Sequence, residues 1–357
     1  MPDPARLRIL EIGSIPYFKT AFPAATTFYA TTPIPDPTPA TQRHVLSLSN
    51  LRELWDRAHA PGFDLIVCRP PFFAPWNPVW ILRALFSRRT LRGEWQFVPA
   101  FGSQLMRGRL AAPLAILDQE DVPHVARHNF HLMDSCRLYF KRELPIDHWR
   151  VFQRTGHRDV PTPRFRASAR QRRRLEKLRP ISLGLPPEGE AALPDKPQDK
   201  TVDVFFHGEM LQSSTVRARG MAELLALREQ GLNVDLSEQR LPLPEFYARM
   251  ARARLVWSPE GLGWDCLRHY EAAACFAVPV ISRPTIERHR PLLEGEHAFY
   301  YDPEPGGLAL TVRAALADPA RLEAMAVAGR AHVLAHHTMR ALATHIVETT
   351  LAADPAR

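Results

Sequence analysis

Short apolar runs alternate along this chain with longer segments of helical periodicity, and the alternation runs through twice. That rhythm restricts the fold more than any other feature. Strands separated by helices pair parallel, and the helices cover both faces of the sheet they make. In the first half LRILEI (7–12), DLIVC (64–68) and PLAIL (113–117) read as buried strands, each ending in polar or proline-rich residues. NLRELWDRA (50–58) opens with Asn50 and has Glu53 three residues on, which predicts a helix started by a capping box.

The rhythm restarts near residue 200. TVDVFFHG (201–208), NVDLS (233–237), RLVWSP (254–259), VPVIS (278–282) and AFYYD (298–302) read as strands. Helical patterns fall between them: STVRARGMAELLALREQG (214–231), capped by Ser214 or Thr215 and stopped by Gly231, then 243–253 and 265–276. The chain past AFYYD reads as helix to Leu351. Several of the 34 prolines cluster in 33–39, 70–78 and 186–197, which predicts loops and one linker. The expected class is α/β with two Rossmann-like, doubly wound domains. The expected boundaries are 1–185, a linker 186–200, and 201–340, with 341–357 a helix and tail able to pack back on the first domain.

Composition narrows the function. With 45% hydrophobic and 24% charged residues the chain is globular in character. Its four cysteines form no CxxC pair, as expected of reduced thiols in a cytoplasmic protein. No leader is visible at the N-terminus, and no run approaches the ~20 apolar residues of a membrane span. The net charge of +8 is concentrated in RFRASARQRRRLEKLR (164–179), which makes peripheral association with an anionic surface an expectation. Among the histidines, His332, His336 and His337 have no matching Cys or carboxylate partners in sequence, so no metal site is expected.

The most informative stretch is SPEGLGWDCLRHYEAAACFAVPVIS (258–282). It sets a strand end, a glycine-containing loop and a helix start in the order that builds a ligand site beyond the carboxyl ends of a parallel sheet. Arg268 and Glu271 fall one helical turn apart. A guanidinium suits a diphosphate by forked hydrogen bonding, and a carboxylate suits a pair of ribose hydroxyls. The apolar AAACFAVPVI behind them supplies a buried platform.

This stretch, with GEHAFYYDPEPGGLALTVRAALADPARLEAMAVAGRAHVLAHHT after it, resembles the donor-binding half of GT-B glycosyltransferases. The resemblance covers roughly 200–345 and is nearest to the group-1 type that includes spore-maturation-like glycosyltransferases. It implies two Rossmann-like domains facing a cleft, and a nucleoside-diphosphate sugar as co-substrate with no tightly bound cofactor. It also implies that Glu271 grips the nucleotide ribose, while the preceding loop (Glu260, Gly261, Gly263, Trp264, Asp265) contacts sugar and phosphates. Two features depart from the family: Phe276 stands where glycine is usual, and Glu260 and Glu271 are eleven apart rather than eight.

Further candidates follow. Arg217 and Arg219 lie just past a strand and helix start, where they would neutralise a departing diphosphate. Asp118 and Asp121 follow a buried strand and are candidates to deprotonate an acceptor hydroxyl. Gly13 and His124 are expected on the acceptor side. The acceptor itself (glycan, protein, small molecule or modified DNA) is not legible. The Pro-rich 16–39 stretch and FFAPWNPVWILRALF (72–86) are expected to shape its site. Two alternatives stand beside sugar transfer to an ordinary hydroxyl: transfer to modified nucleic-acid bases, which the basic run favours, and a nucleotide-sugar-binding protein without chemistry.

Overall fold

In the computed structural model of the chain, every strand pairing among the described residues is parallel. The described residues are 3–31, 43–47, 49–71, 102–153, 168–208, 214–237 and 241–354. They form two compact units: Met1–Ile181 with Ala343–Arg357, and Ser182–Leu342. The 33–39 and 72–86 stretches lie outside the described residues.

The first unit holds seven strands: β1 (Ile9–Gly13), β2 (Thr26–Ala30), β3 (Arg43–Val45), β4 (Leu65–Cys68), β5 (Leu114–Asp118), β6 (Leu138–Lys141) and β7 (Leu178–Pro180). Their order is β3-β2-β1-β4-β5-β6-β7. The chain therefore reverses its direction of travel across the sheet between β1 and β4, and the crevice at such a point is where this topology binds ligands. Strands β1, β4 and β5 are buried along their whole length, as expected of strands covered on both faces.

The expected capping box at Asn50 does not form. The helix Leu51–His59 is present, but Asn50 makes no side-chain bond to it. Asn50 Oδ1 instead accepts from the Ser47 amide at 2.9 Å. Glu53 accepts from Tyr29 Oη at 2.9 Å and pairs with Arg57 at 2.7 Å. Two charged or phenolic partners outcompete one backbone N–H for a carboxylate on the helix surface.

The second unit holds β8 (Val202–His207), β9 (Val234–Ser237), β10 (Ala253–Ser258), β11 (Val278–Ser282) and β12 (Phe299–Tyr301), in the order β12-β11-β10-β8-β9. Here the reversal falls between β8 and β10. The helices that follow these two strands, Thr215–Glu229 and Leu267–Ala274, both start at that point. Trp257, fully buried on β10, donates its indole N–H to Tyr301 Oη on β12 at 2.9 Å and ties the sheet laterally. Residues 187–191, inside the proline-rich 186–197 stretch, form a short helix with proline in its first turn.

The helix Leu267–Ala274 ends in a Schellman turn. Ala277 N–H bonds Ala272 O at 3.0 Å and Phe276 N–H bonds Ala273 O at 3.1 Å. The residue at the left-handed position is Phe276, with φ 57°. Three things hold it there. Its ring is buried in the core of the second unit, the Arg330 guanidinium lies 4.5 Å over that ring, and Lys200 donates to its carbonyl at 2.5 Å.

Candidate functional site

The carboxyl edge of the second sheet is built from strand-terminal polar residues. Ser282, at the end of β11, accepts from the Glu260 amide at 3.0 Å and donates to the Glu260 carboxylate. Arg217 is buried and donates Nε–H to Glu260 O at 3.0 Å. Its own amide is capped by Ser214 Oγ at 3.2 Å. The loop after β10 is thus pinned from the β11 end and from the helix after β8. Gly261 N–H closes a tight turn onto Gly263 O at 2.9 Å.

His269 locks the same loop to its strand. Its Nε2 lies 3.0 Å from Trp264 O, which can only accept, so Nε2 carries the proton. Nδ1 then accepts from the Ser258 hydroxyl at 2.7 Å. Asp265, 2% exposed, has both oxygens engaged inside the unit, by Leu183 N–H at 2.9 Å and Tyr270 Oη at 2.5 Å.

Arg268 and Glu271 differ from these neighbours. The Arg268 side chain crosses Gly208, where a Cβ would sit 2.5 Å from Nη2. Its guanidinium lies 5.1 Å over the Phe206 ring. Its Nε and Nη1 are buried and hydrogen-bond to nothing. A desolvated cation with unused donors is costly unless something completes it. Glu271, 8% exposed, accepts from Tyr247 Oη at 3.0 Å. Burial pushes its carboxyl above the usual range, against the Tyr247 hydrogen bond and the Arg268 charge.

The first unit gathers its charged groups near the carboxyl ends of β1, β4 and β5. Asp118, 3% exposed, accepts from Tyr139 Oη at 2.7 Å, Lys141 Nζ at 3.2 Å and the Glu120 amide at 3.2 Å. Asp121 is exposed and pairs with Arg142 at 2.5 Å. His124 is half-buried. Over Gly13 lies the Arg69 stem, so a Cβ at 13 would meet Arg69 Cδ at 2.9 Å. Glu11 is buried and accepts from the amides of Phe18 (2.9 Å) and Lys19 (2.8 Å). Burial outweighs those bonds and pushes its carboxyl up to about 7. Burial, then the neighbouring Asp118 charge, pushes Glu120 up as well.

Residues 219–348 match the family model described as Glycosyl transferase-like. Solved structures of similar fold include a glycosyltransferase from Rickettsia africae, with TM-score 0.56 and 10% identity over 98% of this chain and 99% of that one. Anabaena HepE in complex with UDP aligns with TM-score 0.55 and 14% identity over 97% and 100%. The α,α-trehalose 6-phosphate synthase of Burkholderia multivorans aligns with TM-score 0.52 and 10% identity over 97% and 96%. No curated protein matches the chain by sequence.

The fold is GT-B.

Within this GT-B chain, Arg217, Glu260, Gly261, Gly263, Trp264, Arg268 and Glu271 come together at the β8–β10 crevice. Arg219 does not join them: it is exposed, two residues past buried Arg217 and so roughly 200° around the helix. Asp265 is near in sequence but spent on the unit's own backbone. Sequence reasoning missed Gly208, Tyr247 and Ser282. Gly208 and Ser282 carried a signal, a small residue directly at or after a strand's carboxyl end. Tyr247, on a different helix, carried none. In the first unit Glu11 and Arg69 were missed for the same reason: partners distant in sequence leave no spacing to read, whereas Glu120 stands in sequence beside Asp118 and Asp121, and Lys141 at an aromatic strand end. Among the described residues, no three or more His, Cys, Asp and Glu side chains are arranged to hold a metal ion, and no helix is long and apolar enough to cross a membrane.

Proposed function

We propose that this GT-B protein transfers a sugar from a nucleoside-diphosphate sugar to a hydroxyl, with the nucleotide held at the β8–β10 crevice. The carrying observation is the Arg268 guanidinium, with buried and unpartnered Nε and Nη1 one turn from buried Glu271. Diphosphate oxygens accepting from Nε–H and from Nη1–H would complete the guanidinium. Glu271, steadied by Tyr247, would accept from the ribose hydroxyls. Gly208 keeps the strand end open enough for Arg268 to lie across it.

The chemistry asked of the site is stabilisation of charge on the leaving diphosphate. Arg268 would supply it, with the amino ends of helices Thr215–Glu229 and Leu267–Ala274 adding partial positive charge. Arg217 holds the Glu260 loop in place rather than meeting the phosphates, since its Nε is committed to the Glu260 carbonyl. HepE of Anabaena, similar in fold alone, has been solved with UDP and with UDP and glucose. Uridine nucleotides are therefore the first donors to test. On the acceptor side, the carboxyl edge of the first sheet offers Glu120, half-buried with a raised carboxyl, as a better proton acceptor than Asp118, whose oxygens are already bonded.

The test is calorimetric titration with UDP, GDP and ADP and their sugar conjugates. At least one should bind, and Arg268→Ala and Glu271→Gln should each weaken it at least tenfold. Absence of binding by every nucleotide at millimolar concentration, with the wild type folded, would overturn the reading.

A further inference from the structure

A second charged site lies in the first unit at the opposite edge of its sheet. A cavity of about 700 Å³ opens beside the helix Ala169–Glu176 and the amino ends of β6 and β7. Arg137, Arg170, Arg173, Arg174, Lys177 and Arg179 line it, against three carboxylates, Asp134, Glu176 and Asp354. A neighbouring cavity of about 530 Å³ shares Asp134, Arg137 and Lys177 and adds Arg109. The volume is that of a small-molecule site, and half of the residues lining it are Arg or Lys.

The cations are held, not loose. Asp134 receives Nε and Nη2 of Arg174 at 2.8 and 2.7 Å, and the same two nitrogens of Arg170 at 3.2 and 2.7 Å. Burial alone would raise the Asp134 carboxyl, but the two guanidinium groups hold it down at about 2. Two guanidinium groups on one carboxylate leave a unit of positive charge uncompensated. Arg174 is braced further by the Phe130 ring, 4.9 Å away. Lys177 Nζ is anchored on Met133 O and Asp134 O, each at 3.0 Å, with one N–H to spare.

We infer that this cavity binds a soluble ligand through its phosphoryl group. Forked guanidinium edges in a preset array match phosphate oxygens in geometry and charge. A flat bilayer fits the feature poorly: the cavity is concave, and none of the exposed large apolar side chains of the described residues lines it. The site is also distinct from the acceptor-side edge of the same sheet, because it opens at the amino end of β6, whose carboxyl end carries Lys141. The four residues of β6 separate the two edges by about 13 Å.

Titration with inorganic pyrophosphate, run beside flotation with phosphatidylglycerol vesicles, tests the inference. Wild type should bind pyrophosphate, with affinity falling as salt is added. Arg137→Glu/Arg173→Glu should lose it at least tenfold while its melting temperature holds, because neither side chain braces Asp134. Arg268→Ala should retain it, which separates this site from the proposed nucleotide site whether or not the latter stands. Arg52→Glu/Arg228→Glu, two exposed arginines elsewhere, should also retain it. Loss in the Arg268 variant alone would assign the binding to the second unit's β8–β10 crevice and overturn the inference. Equal loss in both double variants, marking diffuse surface attraction, or binding to vesicles without binding to pyrophosphate, would do the same.

Discussion

Arg268 is the residue at which folding and function pull apart. Its buried, unpartnered nitrogens are a liability to the empty fold and an asset to a bound diphosphate. Arg268→Met, which keeps the stem over Phe206, should leave stability unchanged or raise it by about 0.5–1 kcal/mol. The same variant should bind nucleotide at least tenfold more weakly; paired melting and titration experiments check both halves. Glu271 makes a pH prediction. A ribose diol must donate to a carboxylate, so nucleotide affinity should fall as pH drops through the raised Glu271 titration. Tyr247→Phe removes a bond that lowers that titration, and should move the acid limb to higher pH. Phe276 stands where the family resemblance implies glycine, yet the backbone keeps the left-handed turn. Phe276→Gly would relieve about 1 kcal/mol of strain and forfeit a buried ring worth about 3–5 kcal/mol. The net expectation is destabilisation by about 2–4 kcal/mol, and a more stable glycine variant would show the ring to be idle. Arg268 and Glu271 were legible because they lie one turn apart. Tyr247 and Gly208 were not, since each meets the pair only through the fold.

Elements were legible where burial is continuous and dim where it is not. Strands such as DLIVC and VPVIS announce themselves by apolar runs, because both faces are covered. The short β2, TTFYA, and β7, LRP, went unread: their few residues carry too little pattern to stand out from flanking loops. Cap chemistry was half-legible. Ser214 caps its helix as expected, whereas the Asn50–Glu53 pair is drawn off by Tyr29, Arg57 and Ser47. Periodicity reports which face is buried, but not which partner a polar side chain will find. The loop before the helix Leu267–Ala274 depends on Asp265, which satisfies one backbone amide and one phenol at once. Asp265→Ala should cost roughly 2–4 kcal/mol by stranding two buried donors. Its effect on nucleotide affinity should track the loss of folded protein; a variant that melts normally but fails to bind would instead assign Asp265 to the ligand.

At the scale of the molecule, the two parallel sheets were readable from rhythm alone, and the sequence also raised the expectation that 341–357 packs back on the first domain. Charge at this scale also makes a stability prediction. The Asp134 carboxyl titrates at about 2, below its ordinary value of 3.8, so its contribution is full above about pH 4 and is lost as pH falls toward 2. Asp134→Asn should therefore destabilise at pH 7, by about 1–2 kcal/mol once solvent screening of the part-exposed group is allowed for. The gap from wild type should close near pH 2 in melting curves taken across that range. The grouping of Ala343–Arg357 with Met1–Ile181 has a consequence for how the protein is made. Ile346, Val347 and Thr350 of that segment are fully buried. At about 5–20 residues per second on the ribosome, the 161 residues of Ser182–Leu342 emerge before this segment does. The unit begun first is thus the last to be completed, and a nascent chain stalled before residue 343 should hold a finished second unit and an unfinished first one.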